Sequence, residues 1–418
     1  MKILVIGSGA REHAICDALL SSDNNKVFCA PGNDGMKLSG IKTVSITEDD
    51  FEGLVNFAIK ENIAFTVVGP EEPLVNGIVD FFEAHGLRIF GPNKKAAKIE
   101  GSKAFTKSLL KLAGVPTAQY CEFNDLDVAE KYIKRQSEYP LVIKADGLAA
   151  GKGVYIVNDQ KEALAVISEL LASHKYQTEK VVIEEYLDGE EFSLMAFVYN
   201  GKFYPMPAAQ DYKKLNNSDK GPNTGGMGAV CPVNNISEST YKFAVDKVLK
   251  PFVDILVEEK IKYTGVLYAG LILTDKGIKV IEFNVRFGDP ETEVVLPRLK
   301  TNLSSVILAI LNDENPEIHW DDSGIDLGVF VSSQGYPENP TKGADLGSIE
   351  YFDLLDCKVN YASVVNKNNS LFTNGGRLFL IRTHADNLKD AQADIYDDLK
   401  KLKQDNIFYR TDIGNNSI

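Results

Sequence analysis

Val280-Ile-Glu-Phe-Asn-Val-Arg-Phe-Gly-Asp-Pro-Glu-Thr292 begins as a strand and ends as a polar loop. Glu282 and Asn284 are two residues apart, so on a strand they face the same way. Two hard oxygen ligands on one face, followed by Arg286, suit Mg²⁺ carrying a phosphate. Read alone, the string can also be a plain alternating strand that exposes polar residues, the lesser of the two readings. The rest of the chain decides between the two.

Working outward, Asp275-Lys-Gly277 is a hairpin turn joining Ile278–Asn284 to a second strand, Gly265–Leu273. Upstream lies one long helix near Ser237–Glu259, in a region that is mostly β from Glu191 onward. Residues 1 to about 100 alternate short apolar runs (Lys2–Ile6, Lys26–Ala30, Phe65–Val68) with helices at Arg11–Leu20, Asp49–Glu61 and about Leu74–Ala84. That order predicts a parallel α/β sheet. Thr47 with Asp50 reads as a cap of the second helix. Ser102–Ala113 is a helix closed by Gly114. A small α+β lobe follows over about 117–190, with strands Leu141–Lys144, Val154–Val157 and Val181–Glu185 and helices Asp125–Gln136 and Lys161–Ala172. After helices at Thr292–Arg298 and Leu303–Leu311, acidic and turn-rich Asn312–Gly324 marks a boundary. The tail reads as another α+β unit, with strands near Leu327–Ser333, Lys358–Ser363 and Gly375–Thr383, a helix near Leu388–Leu402, and a frayed end at Gly414–Ile418.

The length, 418 residues, fits roughly three domains. A formal net charge of −14 argues against a nucleic-acid or anionic-membrane surface. The five cysteines are scattered with no Cys-x-x-Cys pair, which fits reduced thiols in a cytosol. The five histidines show no ligand spacing. Met1-Lys-Ile-Leu-Val-Ile6 runs straight into glycines as a buried strand does, unlike a signal peptide. No apolar run approaches the ~18 residues of a membrane helix.

Five further strings carry chemistry. Ile6-Gly-Ser-Gly-Ala-Arg-Glu-His13 follows a strand and opens a helix, a place suited to an anion. Glu12 stands where a dinucleotide fingerprint needs its third glycine, so Arg11 points to a phosphate monoester instead. Val67-Val-Gly-Pro-Glu-Glu-Pro73 ends a strand of the same sheet, placing Glu71 to hold sugar hydroxyls. In Pro140-Leu-Val-Ile-Lys-Ala-Asp-Gly-Leu-Ala-Ala-Gly-Lys-Gly-Val154, Lys144 ends a strand and a glycine hairpin follows, with Lys152 at its tip and backbone amides free to wrap phosphate. It is not a Walker A sequence. Val181–Ser193 puts acids after an apolar strand; such a hinge holds adenine by backbone hydrogen bonds, with Tyr186 and Leu187 beside the ring and Glu191 on the ribose. Ala209–Lys214 and Gly221–Gly228 read as one long loop whose glycines and Thr224 close over a small amino acid. Each of these strings, standing alone, also has a purely structural reading.

Together and in this order, the strings resemble the glycinamide ribonucleotide synthetase (phosphoribosylamine–glycine ligase) family of the ATP-grasp superfamily. The most specific pieces are ADGLAAGKGV (145–154), GPNTGGMGA (221–229) and EFNVRFGDPETEVVLPRL (282–299). The resemblance implies an N-terminal parallel α/β, Rossmann-like domain (1–102), an ATP-grasp domain with a small mobile lobe (103–323) and a C-terminal α+β domain (324–418). It implies a carbon–nitrogen ligase using ATP and Mg²⁺ or Mn²⁺. Lys103, Lys144 and the Gly151-Lys152-Gly153 hairpin would meet the phosphates. Glu184, Glu185, Tyr186 and Leu187 would hold adenine, and Glu191 the ribose. Glu282 and Asn284 would bind the metal, and Arg286, Lys144 and Lys213 would act in catalysis. Gly9, Ala10, Arg11, Glu12 and Glu71 would hold 5-phosphoribosylamine. Asp211, Thr224, Gly225, Gly226, Asp289, Pro290 and Glu291 would surround glycine.

Three departures stand out. Ala10 replaces the second of a usual pair of glycines, and is tolerated if position 10 has ordinary backbone angles. Tyr268–Leu273 offers no acid, so the metal rests on Glu282, Asn284, phosphates and water. Val359-Asn-Tyr-Ala-Ser363 departs from the family's histidine-containing strand, which puts a ligand role for it in doubt. The implied reaction joins glycine to 5-phosphoribosylamine through glycyl phosphate, in de novo purine biosynthesis. The alternative is another ATP-grasp carboxylate–amine ligase or carboxylase of purine metabolism. A cytoplasmic monomer or weak homodimer acting on small molecules, with no nucleic-acid or membrane partner, completes the expectation.

Overall fold

The computed structural model describes residues 1–415 except 23, 150, 151, 174 and 404. Gly151 of the phosphate hairpin and 416–418 of the expected frayed end therefore lie outside the described residues.

The N-terminal unit is a five-stranded sheet of β1 (Lys2–Gly7), β2 (Lys26–Pro31), β3 (Lys42–Thr43), β4 (Phe65–Val68) and β5 (Ile89–Phe90). Their order is β3-β2-β1-β4-β5 and every pairing is parallel. Strands buried on both faces are continuous apolar runs, which is how β1 and β4 are written. Order reverses beside β1, so the ends of β1 and β4 open one crevice. Helix α1 (Ala10–Leu20) starts there, and α2 covers Phe51–Glu61. The Thr47 cap does not form: Thr47 lies too early, and Asp50 itself accepts from the Gly53 amide at 2.9 Å. The single helix expected at 74–84 is two, α3 (Glu71–Asn76) and α4 (Ile78–Ala84), because Gly77 sits between them at φ +97°. Helix α5 (Lys94–Gly101) was not expected; its short polar-rich sequence carries little periodic signal. Ser102 then caps α6 (Lys103–Leu112), accepting from Phe105 at 3.1 Å.

The small lobe is a four-stranded antiparallel sheet of β6 (Tyr120–Phe123), β7 (Leu141–Ala145), β8 (Val154–Val157) and β9 (Val181–Glu185), in the order β6-β9-β7-β8. Helices α7 (Leu126–Ile133) and α8 (Gln160–Leu171) cover it, and it has a hydrophobic core of its own. The body carries β10 (Glu190–Tyr199), β11 (Lys202–Pro205) and two later strands, Thr264–Thr274 and Gly277–Asn284, in one sheet. Its core is continuous with that of the N-terminal unit.

The expected long loop at 209–228 is partly strand. β12 (Gln210–Asp211), the hairpin β13 (Lys214–Asn216) and β14 (Lys220–Asn223), and β15 (Gly228–Cys231) occupy it. β12 and β15 enter a six-stranded sheet with the tail, β15 pairing with Ile325–Ser333 from Gly228↔Val329 to Cys231↔Asp326. Short glycine-rich strands paired across a hundred residues leave no local pattern to read. The tail strand Lys358–Tyr361 docks on α1: the Tyr361 amide donates to His13 Nδ1 at 2.8 Å and Asn360 donates to Asp17 at 2.8 Å. Among the described residues no helix is long and apolar enough to cross a membrane.

Candidate active site

With the strands Thr264–Thr274 and Gly277–Asn284 named β16 and β17, the register pairs Gly270 with Glu282 and Tyr268 with Asn284. Leu271 pairs with Val280, so Ile281 is an extra residue in β17. Bulges of this kind re-aim side chains next to active sites. Asn284 donates to Glu282 Oε1 at 3.3 Å, confirming one shared face. Burial works against charge on Glu282, yet the Lys213, Lys144 and Lys103 ammoniums hold its carboxyl below the ordinary value. Among the described residues no group of three or more His, Cys, Asp and Glu is placed to hold a metal. The donor set is thus one ionised carboxylate and one amide, which fits a hard cation that brings phosphate oxygens with it.

A slot opens between the small lobe and the body. Val142, Val154 and Ile156 line one wall and Ile272 and Ile281 the other. Val142 pairs with Ile156 and Lys144 with Val154, so period-two alternation alone puts these four on one face. Glu185, Tyr186 and Leu187 close one end, and Glu191, Lys213, Thr224 and Glu282 the other. Two flat apolar walls with polar groups at both ends suit a purine ring and its ribose. Glu185's side chain turns away to Lys279, 2.6 Å off, and its amide donates to the Gln119 carbonyl at 3.0 Å. Glu191 pairs with Lys213 at 2.6 Å, and Asp211 lies 3.7 Å from the same ammonium. Burial pushes the Asp211 carboxyl up to about 7 against the pull of Lys213, aided by Glu291 and Glu191.

Deeper in, Lys103, Lys144, Gly153, Glu282, Asn284 and Arg286 line a second, contiguous cavity. Lys103 donates to the Gly147 carbonyl at 3.2 Å. Lys144 pairs with Glu184 at 3.0 Å and donates to the Ile281 carbonyl at 3.3 Å. Lys152 is exposed, its backbone carbonyl accepting from Tyr176. Lys107 was missed by the sequence reading. It is buried, 3.1 Å from Glu184 and 2.7 Å from Thr117, and burial lowers its ammonium to about 8 despite Glu184. Only its spacing of four from Lys103, one helical turn, hints at it.

Arg286 turns toward the N-terminal unit, 3.0 Å from Glu100 and 3.6 Å from Glu71; its buried Nε has no hydrogen-bond partner among the described residues. Burial opposes charge on Glu71, but Arg286 and Arg11 hold its carboxyl below the ordinary value. Arg11 and Arg286 both donate to the Phe287 carbonyl, at 3.3 and 3.2 Å. Gly9 caps α1, and Ala10 is its first helical residue without positive φ, so the departure there is unstrained. Glu12 is less free than expected. Its carboxylate accepts from the Gly9 amide at 2.7 Å and Arg11 Nε at 2.6 Å, beneath Gly7 (φ +131°), where a Cβ would sit 2.3 Å from it. Glu48, also missed, joins this cluster: burial and neighbouring Glu12 push its carboxyl up to about 7.

The residues expected around glycine are divided. Thr224 donates to the Lys213 carbonyl at 2.8 Å and accepts from Gly226 at 3.0 Å, shaping the turn. Pro290 packs against Gly226. Glu291 is buried, accepting from Ser193 at 2.7 Å and Tyr268 at 2.9 Å. Asp289 pairs with Arg377 of the tail at 2.8 Å.

Three phosphoribosylglycinamide synthetase domains match in order: the N domain over residues 1–100, the ATP-grasp (A) domain over 101–292 and the C domain over 326–416. The chain belongs to the phosphoribosylglycinamide synthetase family. Its similarity to family members is full-length: 50% identity to a phosphoribosylamine–glycine ligase of Lactococcus lactis, over 100% of both chains, and 48% to that of Listeria innocua, over 99% of both. The crystal structure of phosphoribosylamine–glycine ligase from Thermotoga maritima superposes with a TM-score of 0.86 at 31% identity, covering 99% of this chain and 100% of that one. A biotin carboxylase domain from Hydrogenobacter thermophilus shares the fold at a TM-score of 0.74 and 16% identity, over 97% of this chain and 91% of that one. In this synthetase chain the family's three segments meet at one place, the Glu282–Asp289 loop.

Proposed function

We infer that the protein joins glycine to 5-phosphoribosylamine, converting ATP to ADP and phosphate and forming glycinamide ribonucleotide, a step of de novo purine biosynthesis. One observation carries this reading. The slot and cavity that hold Lys144, Lys213 and Glu282 open directly onto the Arg286–Glu71–Arg11 cluster of the N-terminal crevice. A nucleotide and a phosphorylated sugar amine can therefore meet across Arg286.

In the first step an oxygen of the glycine carboxylate attacks the γ-phosphorus and the bond to ADP breaks, giving glycyl phosphate. In the second, the amine of phosphoribosylamine attacks the acyl carbon, phosphate leaves, and the nitrogen gives up a proton as the amide forms. Anion attack on a polyanion needs fixed positive charge, which Lys103, Lys144, Lys213 and Arg286 supply. A divalent cation, Mg²⁺ or Mn²⁺, held by Glu282 and Asn284 would neutralise phosphate charge there. Gly153 and Lys152 with Gly151 cover the phosphates, and the Glu184–Leu187 backbone and Glu191 take the nucleoside. Gly9, Ala10, Arg11 and Glu71 hold the ribose phosphate, with Glu12 bracing them. Asp211, Thr224–Gly226, Asp289 and Pro290 surround glycine, with Glu291 fixed behind them. An acyl phosphate hydrolyses readily, so the small lobe closes to exclude water.

The working division is 1–102 for the sugar phosphate, 103–323 for ATP and 324–418 as the C-terminal unit. The setting is the cytoplasm, as a monomer or weak homodimer. The deciding assay is ADP release with freshly made phosphoribosylamine and glycine, each omitted in turn. Omission of either stops turnover; turnover that survives both omissions sinks the reading.

A further inference from the structure

The tail sheet reaches into the amino-acid side of the site through one residue. Arg377 opens the strand Arg377–Ala385. Its Nη1 donates to the Gly225 carbonyl and, at 3.4 Å, to the Gly226 carbonyl; its Nη2 donates to Asp289 Oδ2 at 2.8 Å. The guanidinium lies 4.3 Å over the Phe330 ring. Tyr336 takes the other backbone group of the same glycine, its hydroxyl accepting from the Gly225 amide at 2.9 Å. Both backbone polar groups of Gly225 are thus held by the tail. Gly226 has φ +106°, and a Cβ there would fall 2.4 Å from Pro290 Cδ, so the glycine turn and the Asp289–Pro290 step are in direct contact.

A plain fold staple would satisfy both carboxylate oxygens of Asp289. Instead Oδ1 is buried and has no hydrogen-bond partner among the described residues. Three residues earlier on the same loop, Arg286 Nε is buried 3.6 Å from Glu71 Oε2, too far for a hydrogen bond. The bare acceptor on Asp289 matches the ammonium group of a small amino acid.

Resting on the ligase reading above, we propose that Arg377 is a positioning residue for the amino-acid substrate, fixing Asp289 and the Gly225–Gly226 turn so that Asp289 Oδ1 receives the substrate's ammonium group. Arg377 itself touches no reacting atom. Its planar fork sets two loops at once, which a lysine cannot copy in full.

The test is steady-state ADP release by the full chain with ATP, glycine and phosphoribosylamine varied separately. Arg377→Met raises the glycine KM at least tenfold, leaves the ATP KM within twofold and keeps the thermal midpoint within a few degrees. Arg377→Lys lies between Arg377→Met and the parent. Adding Arg377→Met to Asp289→Asn raises the glycine KM no further than Asp289→Asn alone. If Arg377→Met does not fold, the same split between glycine and ATP is read in Arg377→Lys. An unchanged glycine KM, or a parallel rise in every KM, overturns the inference. The parent protein is assayed first: if its ADP release ignores glycine, the ligase reading itself has failed, whereas glycine dependence with an indifferent Arg377 strikes only this inference.

Discussion

Arg286 shows what a single residue contributes. It lines the Lys144–Glu282 cavity and lies 3.6 Å from Glu71, so on the proposed ligase reading its loss would remove charge stabilisation from the transition state. Arg286→Ala lowers kcat by about 10²-fold or more in the ADP-release assay; a near-parental rate would remove it from the chemistry. Glu48 gives a pH signature. Its carboxyl titrates at about 7 folded against an ordinary value of 4.5, with burial the main cause. Below that ordinary value both states are protonated and Glu48→Gln matches the parent. As pH rises from that value to about 7, the unfolded chain ionises freely while the folded parent holds its proton beside Glu12, and above 7 the difference levels off. The parent therefore loses stability relative to Glu48→Gln, by on the order of 1 kcal/mol after solvent screening. Urea midpoints at pH 5 and pH 8 read this out, and a difference that does not change with pH refutes it. Glu282 and Asn284 were legible because alternation on a strand is local. Lys107, Glu48 and Arg377 were not, because each matters through partners far away in sequence: Glu184, Glu12 and Asp289.

Elements were legible in proportion to their length and periodicity. Lys2–Gly7, Phe65–Val68, Val154–Val157, Val181–Glu185 and Leu303–Leu311 fall where apolar pattern puts them. Pieces that hold together through tertiary contacts were hidden, as with the strand at Tyr120–Phe123, which pairs with β9. The turn at Thr224–Gly226 is the sharper case: its glycines were read as freedom to close over a ligand, whereas the structure shows a fixed turn pinned by Arg377, Tyr336 and Pro290. Gly226→Ala tests that. An alanine at φ +106° that also meets Pro290 costs on the order of 2 kcal/mol. The urea midpoint falls and the glycine KM rises; parental values for both mean the turn has room to move.

At the scale of the whole molecule, the small lobe has a separate core, while the N-terminal unit and body share one. A core of its own, with the nucleotide slot on one side, makes the lobe the part expected to close on a bound nucleotide. A non-hydrolysable ATP analogue with Mg²⁺ at a hundred times its Kd adds about 2.7 kcal/mol to folded-state stability. It slows amide exchange over 120–185, and EDTA weakens both effects; protection confined to the body would contradict lobe closure. The sequence by itself determined the alternating N-terminal sheet, the lobe with its glycine hairpin, the shared face of Glu282 and Asn284 on β17 and the family to which these belong. Each of these rests on periodicity or on a motif within a dozen residues. Only the tertiary structure decided that β12 and β15 join the tail sheet, that Glu12 turns onto Gly9 and Arg11 and Glu291 onto Ser193 and Tyr268, and that Arg377 reaches Asp289. Those facts depend on which distant strand a short segment pairs with and on which buried charge finds which partner, and neither is written in local pattern.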